Sequence, residues 1–199
     1  MRTIAITGRS GCGKSWVTGW LAAQGYPVAD ADAVARQVLM PGSPCLPLLC
    51  IRFGDDILEE DGSLKRRLLA DRAFATPEGT RDLTGITHPE IIRRLLAAKK
   101  QAEESGAELF FVDGAVIFNS AFEPECDAFL LVAAPLETSV QRIVARDGIS
   151  PEMARRRLDA QLSEDWLRSR CQYVIENDSD LTALEDRARA ALAFFRNGG

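Results

Sequence analysis

The chain has 199 residues, of which 46% are hydrophobic and 27% charged, a composition that suits one globular domain with a sizeable core. Acidic residues outnumber basic ones by 29 to 24, and the net charge of −5 argues against nucleic acid or an anionic membrane as the main partner. The five cysteines form no CxxC pair, no apolar run reaches the ~18 residues of a membrane helix, and the start lacks a signal-peptide pattern. We therefore expect reduced thiols and a cytoplasmic protein.

The first forty residues alternate between strand and helix patterns. Residues 3–7 predict a first strand, and a helical pattern follows from about Lys14 to Ala23. Residues 26–29 predict a second strand and residues 31–39 a second helix, before the Pro41-Gly42-Ser43-Pro44 segment breaks the chain.

A long, mostly helical stretch occupies residues 45–105. Glu60-Asp61-Gly62-Ser63 and His88-Pro89 interrupt its periodicity, so we expect helix breaks at both places. The stretch is too long for one crossover between neighbouring strands. It therefore predicts a helical subdomain beside the sheet.

The second half of the chain returns to alternation. Residues 108–112 and 128–133 are continuous apolar runs of strand length, as expected for strands covered on both faces. Residues 135–170 are helical and rich in arginine, residues 172–176 predict a last strand, and residues 181–195 predict a closing helix. Strands that alternate with helices imply a parallel α/β sheet.

One glycine-rich segment carries the strongest chemical signal. Residues 8–15 match the pattern G-x-x-x-x-G-K-[ST] at every fixed position, after a β-run and at the start of a helix. The glycines let successive backbone N–H groups turn towards phosphate oxygens, and the helix N-terminus adds partial positive charge. We expect Lys14 to reach the β- and γ-phosphates of a nucleoside triphosphate and the Ser15 hydroxyl to bind Mg²⁺. A glycine-rich turn without a ligand is the alternative.

A phosphate loop indicates the ligand but not the reaction. No asparagine is followed by lysine, so the guanine-reading N-K-x-D segment of switch GTPases is missing from the sequence. The length, the acidic charge and the arginine-rich helical segment favour a small-molecule kinase.

Two carboxylates follow the second predicted strand. Asp30 and Asp32 lie at the carboxyl end of that strand, where parallel sheets form their ligand crevice. A carboxylate there can take the proton of an acceptor hydroxyl that attacks the γ-phosphate, whereas another can cap the next helix. We assign capping to Asp30 and base catalysis to Asp32, and the spacing alone leaves the reverse assignment open.

Arg142 and Arg146 are four residues apart and share one helix face. They belong to a cationic segment between the fourth and fifth strands, and we expect them on a lid that closes over phosphates and supplies charge to the transition state. For Arg155-Arg156-Arg157 a solvated helix is the favoured interpretation, because three consecutive residues cannot share a face.

Nearly from end to end, the chain resembles the dephospho-CoA kinase family. The phosphate loop is common to many families, whereas Asp30-Ala31-Asp32 and its spacing to His88-Pro89 are specific to this one. The matching segments are residues 7–15 and 28–38, Pro41-Gly42, Phe53-Gly54, residues 61–66 with Leu69 and Phe74, His88-Pro89, Gln141-Arg142, Arg146-Asp147-Gly148, Gln161 and residues 174–177.

The resemblance implies phosphorylation of the ribose 3′-hydroxyl of dephospho-CoA by Mg²⁺ and ATP, the last step of coenzyme A synthesis. It also implies a P-loop three-layer sandwich, in which helices flank a parallel sheet, with a helical substrate-binding subdomain and a helical lid. The expected bounds are about 1–40, 106–134 and 171–199 for the core, 41–105 for the subdomain and 135–170 for the lid.

The same resemblance implies roles for individual residues. Lys14, Asp32 and Arg146 are the expected catalytic residues, with Asp32 as the base. The expected ATP-binding residues are Gly11, Cys12, Gly13, Lys14, Ser15, Trp16, Arg142, Arg146 and Asn177, the last near the adenine. The expected acceptor-site residues are Thr7, Asp32, Arg66, His88 and Asp113. Asp113 is also a candidate to hold Mg²⁺ through water, with a capped turn as the alternative, and for His88 a packed or capping role is favoured.

The chain departs from the family pattern at Trp16, at Ala115 and Asn119, and at Gln172. The family commonly has threonine, a Pro-Leu-Leu-Phe-Glu segment and an Ala-Asp pair at the corresponding places. Two other functions stay open: a kinase of another small-molecule hydroxyl, since Asn119 replaces a carboxylate, and a nucleotide-binding regulator without catalysis. Dephospho-CoA is the expected partner, and we expect a monomer or a weak homo-oligomer.

Overall fold

The computed structural model describes residues 1–114 and 117–198. Within these residues the strands are β1 (Arg2–Thr7), β2 (Val28–Asp30), β3 (Leu109–Asp113), β4 (Ala128–Ala133) and β5 (Tyr173–Glu176). The helices there are α1 (Lys14–Ala23), α2 (Ala31–Gln37), α3 (Cys45–Phe53), α4 (Arg66–Ala73), α5 (Pro77–Glu104), α6 (Leu136–Asp147), α7 (Pro151–Asp159), α8 (Glu164–Arg170) and α9 (Leu181–Arg196). Short 3₁₀ turns occupy Asp55–Ile57 and Glu123–Glu125.

The strands form one sheet in the order β2-β3-β1-β4-β5, and β1 pairs in parallel with both β3 and β4. Thr3 to Thr7 are buried throughout, because helices cover both faces of this central strand. The register places Ile6 beside Asp113 and Thr7 beside Leu131. The carboxyl ends of β1, β3 and β4 therefore meet where the phosphate loop begins, and the α/β sheet predicted from the sequence is confirmed.

One face of the sheet is held by α1 and α9. Side chains of both helices, Val17 and Leu21 from α1 and Leu184 and Phe195 from α9, pack in one buried cluster with Ile4, Ile6, Phe111 and Leu130 of the strands. Burial of a large aliphatic or aromatic side chain contributes about 1.5–3 kcal/mol. This cluster fixes the start of α1, and thereby the phosphate loop, on the sheet.

The chain divides into two compact units. One holds residues 1–29 together with the described residues from 99 onward, and the other holds residues 30–98. The second unit has a core of its own, built from Val38, Cys45, Leu46, Leu49, Phe53, Ile57, Leu69 and Ala73. Its lower bound differs from the residue 41 expected from the sequence, because Val34 of α2 and Val38, which directly follows that helix, pack into that core.

A helix break expected at His88-Pro89 is absent from α5, which runs from Pro77 to Glu104 through Pro89. The prediction of a break there is wrong. Proline removes one helical hydrogen bond and usually ends or kinks a helix. Here Leu83, Ile86 and Ile91, on both sides of the proline, pack against the core of the second unit, and this packing outweighs the lost bond.

In the described part of the chain, no helix combines the length and the apolar character needed to cross a membrane. All five cysteines carry free thiols, as the odd number and the spacing predicted.

Candidate active site

The phosphate loop connects β1 to α1 over residues 8–13, and two of its glycines have left-handed backbone conformations. Gly11 has φ 78° and Gly13 has φ 95°, a region that side chains with a Cβ rarely adopt. Gly13 is the residue that directly precedes α1. Of these two, the motif requires only Gly13, and Gly11 is an additional glycine of this chain.

Close neighbours impose a second requirement for glycine in this loop. A Cβ at Gly8 would lie 2.5 Å from the carbonyl oxygen of Val132, and one at Gly11 would lie 2.5 Å from the carbonyl oxygen of Ser139. Both obstacles are backbone atoms and cannot rotate away. The loop is therefore packed tightly on the end of β4 and the start of α6.

Lys14, the first residue of α1, forms an ion pair with Asp113, the last residue of β3. The two side chains are only 16% and 10% exposed. The sequence suggested Asp113 for the acceptor site or for Mg²⁺, but not as a partner of Lys14. The pairing depends on the register of β1 and β3, which no local pattern reveals.

Side chains from two later segments donate hydrogen bonds to carbonyl groups of the phosphate loop. The Nδ2 group of buried Asn177 donates to the Cys12 carbonyl at 2.7 Å, and Arg142 Nη1 donates to the Gly11 carbonyl at 3.1 Å. These hydrogen bonds fix the carbonyl groups of Gly11 and Cys12 towards Arg142 and Asn177. The structure thus brings together Gly11, Cys12, Arg142 and Asn177, four residues that the sequence assigned to ATP.

The leading half of the loop is tied to the end of α7. Arg9 Nη2 donates to the Leu158 carbonyl at 2.6 Å. The side chain of Gln161 accepts a hydrogen bond from Ser10 N–H at 2.9 Å and donates one to Ser10 Oγ at 2.7 Å. The sequence had marked Gln161 as a matching position but gave it no role, since its contact lies 151 residues away.

A cleft of about 700 Å³ opens beside the loop. Its walls come from the start of α1, from Arg142 and from the segment that joins β5 to α9; they are Gly13, Trp16, Arg142, Asn177, Ser179, Asp180, Leu181, Thr182 and Leu184. Trp16 is half-buried and packs against the main core. A cleft of this size next to a phosphate loop suits the nucleoside of a nucleotide.

The cleft also contains residues that were missed in the sequence. Asp180 caps α9 by accepting from Ala183 N–H at 2.9 Å, and Leu181 and Thr182 follow it. The Asp-Leu-Thr pattern is a helix-start signal that could have placed this wall of the cleft beside Asn177.

Cys12 lies inside the phosphate loop and is 3% exposed. Burial raises the pKa of its thiol to about 11, which outweighs the opposing effect of Lys14. A thiol with such a pKa is protonated near neutral pH, and protonated thiols are poor nucleophiles. Cys12 therefore serves the loop through its backbone.

Arg146 forms a two-point hydrogen bond with the neighbouring Asp147, at 2.7 Å from Nε and 2.9 Å from Nη2. Arg157 also pairs with Asp147. Hydrogen bonds from these guanidinium groups, with Arg146 the stronger influence, lower the pKa of Asp147 to about 2. The side chain of Arg146 is 61% exposed, and in this conformation its charge is committed to Asp147.

α6 and α7, which fall in the predicted lid, share a small core. Val140 and Ile143 of α6 pack against Ala154 and Leu158 of α7. Arg155 pairs with Glu137 on the exposed surface, in keeping with the solvated helix favoured for the arginine triplet.

In the second unit, Asp30 caps α2, with its Oδ1 accepting from Ala33 N–H at 2.8 Å, as assigned from the sequence. Asp32 lies in the first turn of the same helix and its side chain is exposed. Arg66, the first residue of α4, is exposed and reaches the sulfur of Met40 at 3.9 Å. His88 is exposed on α5, so the packed role that the sequence favoured for it is wrong.

Two of the departures from the family pattern have defined surroundings. Gln172 accepts from Phe129 N–H at 2.7 Å and thereby joins the start of β5 to β4. Asn119 has φ 61°, and its N–H donates to Glu123 Oε2 at 2.6 Å. Trp16, a third departure, lines the cleft, and Ala115, the fourth, lies outside the described residues. Thr7 is buried at the end of β1, and Ser15 is exposed in the first turn of α1.

In the part of the chain that the structure describes, no group of three or more His, Cys, Asp or Glu side chains is placed to hold a metal ion. Mg²⁺ in nucleotide enzymes keeps several waters and takes one or two protein oxygens besides the phosphates. The exposed hydroxyl of Ser15 and the carboxylate of Asp113 fit an ion that arrives with the nucleotide.

Comparisons with known proteins agree with this geometry. The solved structure of TT1252 from Thermus thermophilus is 37% identical, with a TM-score of 0.79 over 97% of both chains. The dephospho-CoA kinase from Campylobacter jejuni has the same fold, with a TM-score of 0.74 and 22% identity over 100% of this chain and 99% of that one. The predicted P-loop kinase fold is thus confirmed.

The sequence comparisons identify the family. The dephospho-CoA kinase of Syntrophotalea carbinolica is 37% identical over 196 residues, which cover 97% of this chain and 92% of that protein. The family model for dephospho-CoA kinase matches residues 2–183. The chain belongs to the dephospho-CoA kinase family.

Proposed function

We propose that this protein transfers the γ-phosphoryl group of ATP to the ribose 3′-hydroxyl of dephospho-CoA, which gives coenzyme A and ADP. Membership of the family carries this proposal. It is supported by a phosphate loop with a helix N-terminus behind it, Lys14 at its end and a nucleoside-sized cleft at its side. The active enzyme is favoured over a silent regulator because Lys14, Ser15 and Asp32 are all present.

In the proposed reaction the 3′-oxygen forms a bond to the γ-phosphorus, while the bond from that phosphorus to the β,γ-bridging oxygen breaks. Asp32 takes the proton of the 3′-hydroxyl, and ADP leaves with the bridging oxygen. Lys14 and the loop N–H groups stabilise the charge that develops on the phosphoryl oxygens. Arg146 adds its positive charge once its guanidinium leaves Asp147 and contacts the nucleotide. Arg142 stays near the loop through its hydrogen bond to the Gly11 carbonyl.

The nucleoside of ATP occupies the cleft, where Trp16 offers a ring face and Asn177 lies against the loop. Ser15, with Asp113 through water, would hold Mg²⁺, which would neutralise phosphate charge when bound. Thr7, Arg66 and His88 complete the proposed acceptor contacts. Residues 135–170 act as the lid.

The deciding experiment is a coupled ADP-release assay with a panel of hydroxyl acceptors. We expect ATP consumption when dephospho-CoA and Mg²⁺ are both present. ADP release with another hydroxyl compound but not with dephospho-CoA would indicate a shifted acceptor. Tight ATP binding without turnover of any acceptor would indicate a regulator.

Asp32→Asn tests the base. The substitution keeps size and polarity but removes proton acceptance, so kcat should fall by ~10²–10⁴ while ATP still binds. Asp30→Asn is the matched control, two residues away, because asparagine also caps helices well. If both variants lose activity equally, Asp32 is not the base.

The cytoplasmic location and a monomeric or weakly associating state stay predictions. Light scattering across a concentration series measures the association state directly.

A further inference from the structure

The contact between Gln161 and Ser10 has a geometry that a carboxamide fits well. Ser10 N–H can only donate a hydrogen bond, so the group facing it at 2.9 Å must be the Gln161 oxygen, Oε1. This leaves the Gln161 nitrogen, Nε2, to donate to Ser10 Oγ at 2.7 Å. One side chain thus satisfies the backbone and the hydroxyl of one loop residue together.

Gln161 sits at the end of a rigid segment. It lies two residues beyond the end of α7, whose residues Ala154 and Leu158 are fully buried against α6. The neighbouring Leu158 carbonyl accepts a hydrogen bond from Arg9, and α6 supplies Arg142 to the Gly11 carbonyl. Three consecutive loop residues, Arg9, Ser10 and Gly11, are therefore each held by the α6–α7 segment.

We propose that Gln161 is a positioning residue for ATP binding: it fixes Ser10, and with it the leading half of the phosphate loop, in the phosphate-binding conformation before the nucleotide arrives. A loop fixed in advance loses less conformational freedom when the ligand binds, which raises affinity. The inference rests on the proposed function only in taking ATP as the ligand.

The test compares ATP binding, measured by calorimetry without an acceptor, in Gln161→Met, Ser10→Ala and the double variant. Gln161→Met keeps the length of the side chain but removes both hydrogen bonds, and the dissociation constant for ATP should rise about tenfold. Ser10→Ala removes the hydroxyl contact alone and should have a smaller effect. Because Gln161 acts through Ser10, the double variant should bind ATP like Gln161→Met. Gln101→Met, an exposed glutamine of α5, is the matched control and should bind like the wild type.

Hydrogen exchange and kinetics separate positioning from general destabilisation. In the nucleotide-free protein, the Ser10 amide should exchange faster in Gln161→Met while the melting temperature stays within a degree or two. The KM for ATP should rise with the dissociation constant, and the KM for dephospho-CoA should not. ATP binding within twofold of the wild type, additive effects in the double variant, or a parallel rise in both KM values would overturn the proposal. Wild-type protein that binds ATP but leaves dephospho-CoA unphosphorylated would refute the proposed function without affecting these binding results.

Discussion

Lys14 and Asp113, although 99 residues apart in the chain, form an ion pair between the start of α1 and the end of β3, largely shielded from solvent. The lysine is the residue that the phosphate loop offers to a triphosphate. We therefore expect Asp113 to neutralise Lys14 in the protein without nucleotide and to compete with phosphate for it.

Asp113→Asn should therefore destabilise the protein without ATP. Removal of one partner from a mostly buried pair leaves the other charge uncompensated, which costs about 3 kcal/mol in the free energy of unfolding. ATP should restore most of the lost free energy of unfolding, because its phosphates replace the lost anion. Urea unfolding with and without ATP measures both effects.

The exposed pair between Lys65 and Glu59 provides the control for that experiment. Glu59→Gln should change the free energy of unfolding by less than about 1 kcal/mol, since solvent screens an exposed pair. The role given to Asp113 would be contradicted if both variants lost the same free energy of unfolding. It would also be contradicted if ATP did not reduce the loss in Asp113→Asn.

Trp16 should report directly on the nucleotide. It lines the cleft, whereas Trp20 lies under Arg189 and Trp166 packs edge-on to Phe118. We expect ATP to quench tryptophan fluorescence in the wild type and in Trp20→Phe, but not in Trp16→Phe. Trp16→Ala should also weaken ATP binding about tenfold, the loss expected when a stacking ring is removed. Quenching that persists in Trp16→Phe would mean that the adenine of ATP binds elsewhere.

Cys12 should resist alkylation despite its place in the phosphate loop. Its thiol is buried and its pKa is about 11, so both access and thiolate content are low at pH 8. Mass spectrometry after a timed iodoacetamide pulse should find Cys50 modified well before Cys12. In denaturant the two should react at similar rates. Fast labelling of Cys12 in the folded protein would mean that the loop opens readily.

The pair between Arg146 and Asp147 should give a pH-dependent contribution to stability. Asp147 has a folded-state pKa of about 2, below its ordinary value of 3.8. The stabilisation is therefore present above about pH 4 and is lost as the pH falls towards 2. The difference in melting temperature between wild type and Asp147→Asn should shrink over that interval, and because the pair is exposed it should also shrink with salt. A difference that stays constant between pH 5 and 2 would contradict this pairing.

Local sequence was sufficient wherever local chemistry decides the structure. α1 and β4 have the predicted bounds, since a glycine precedes the first and a continuous apolar run defines the second. The break predicted at Pro89 failed because packing on both sides of the proline outweighs its backbone cost.

For the candidate site, the sequence proposes residues but does not give their contacts. The motif identified the loop, Lys14 and Ser15, and the resemblance to the family added Asn177. The pairing of Lys14 with Asp113 and of Ser10 with Gln161 depends on strand register and on the packing of α7, which join residues 99 and 151 positions apart. Contacts between residues this far apart in the chain cannot be recognised in a single sequence.

The central place of β1 in the sheet has a consequence for synthesis of the chain. Its partners are residues 109–113 and 128–131, so this strand leaves the ribosome before either partner and cannot pair until residues 30–98 have also been made. Residues 30–98 hold a core of their own and are complete before either partner emerges. We therefore expect the nascent chain to gain its first stable structure in that region. The phosphate loop, though encoded near the start, should be among the last parts of the molecule to take shape.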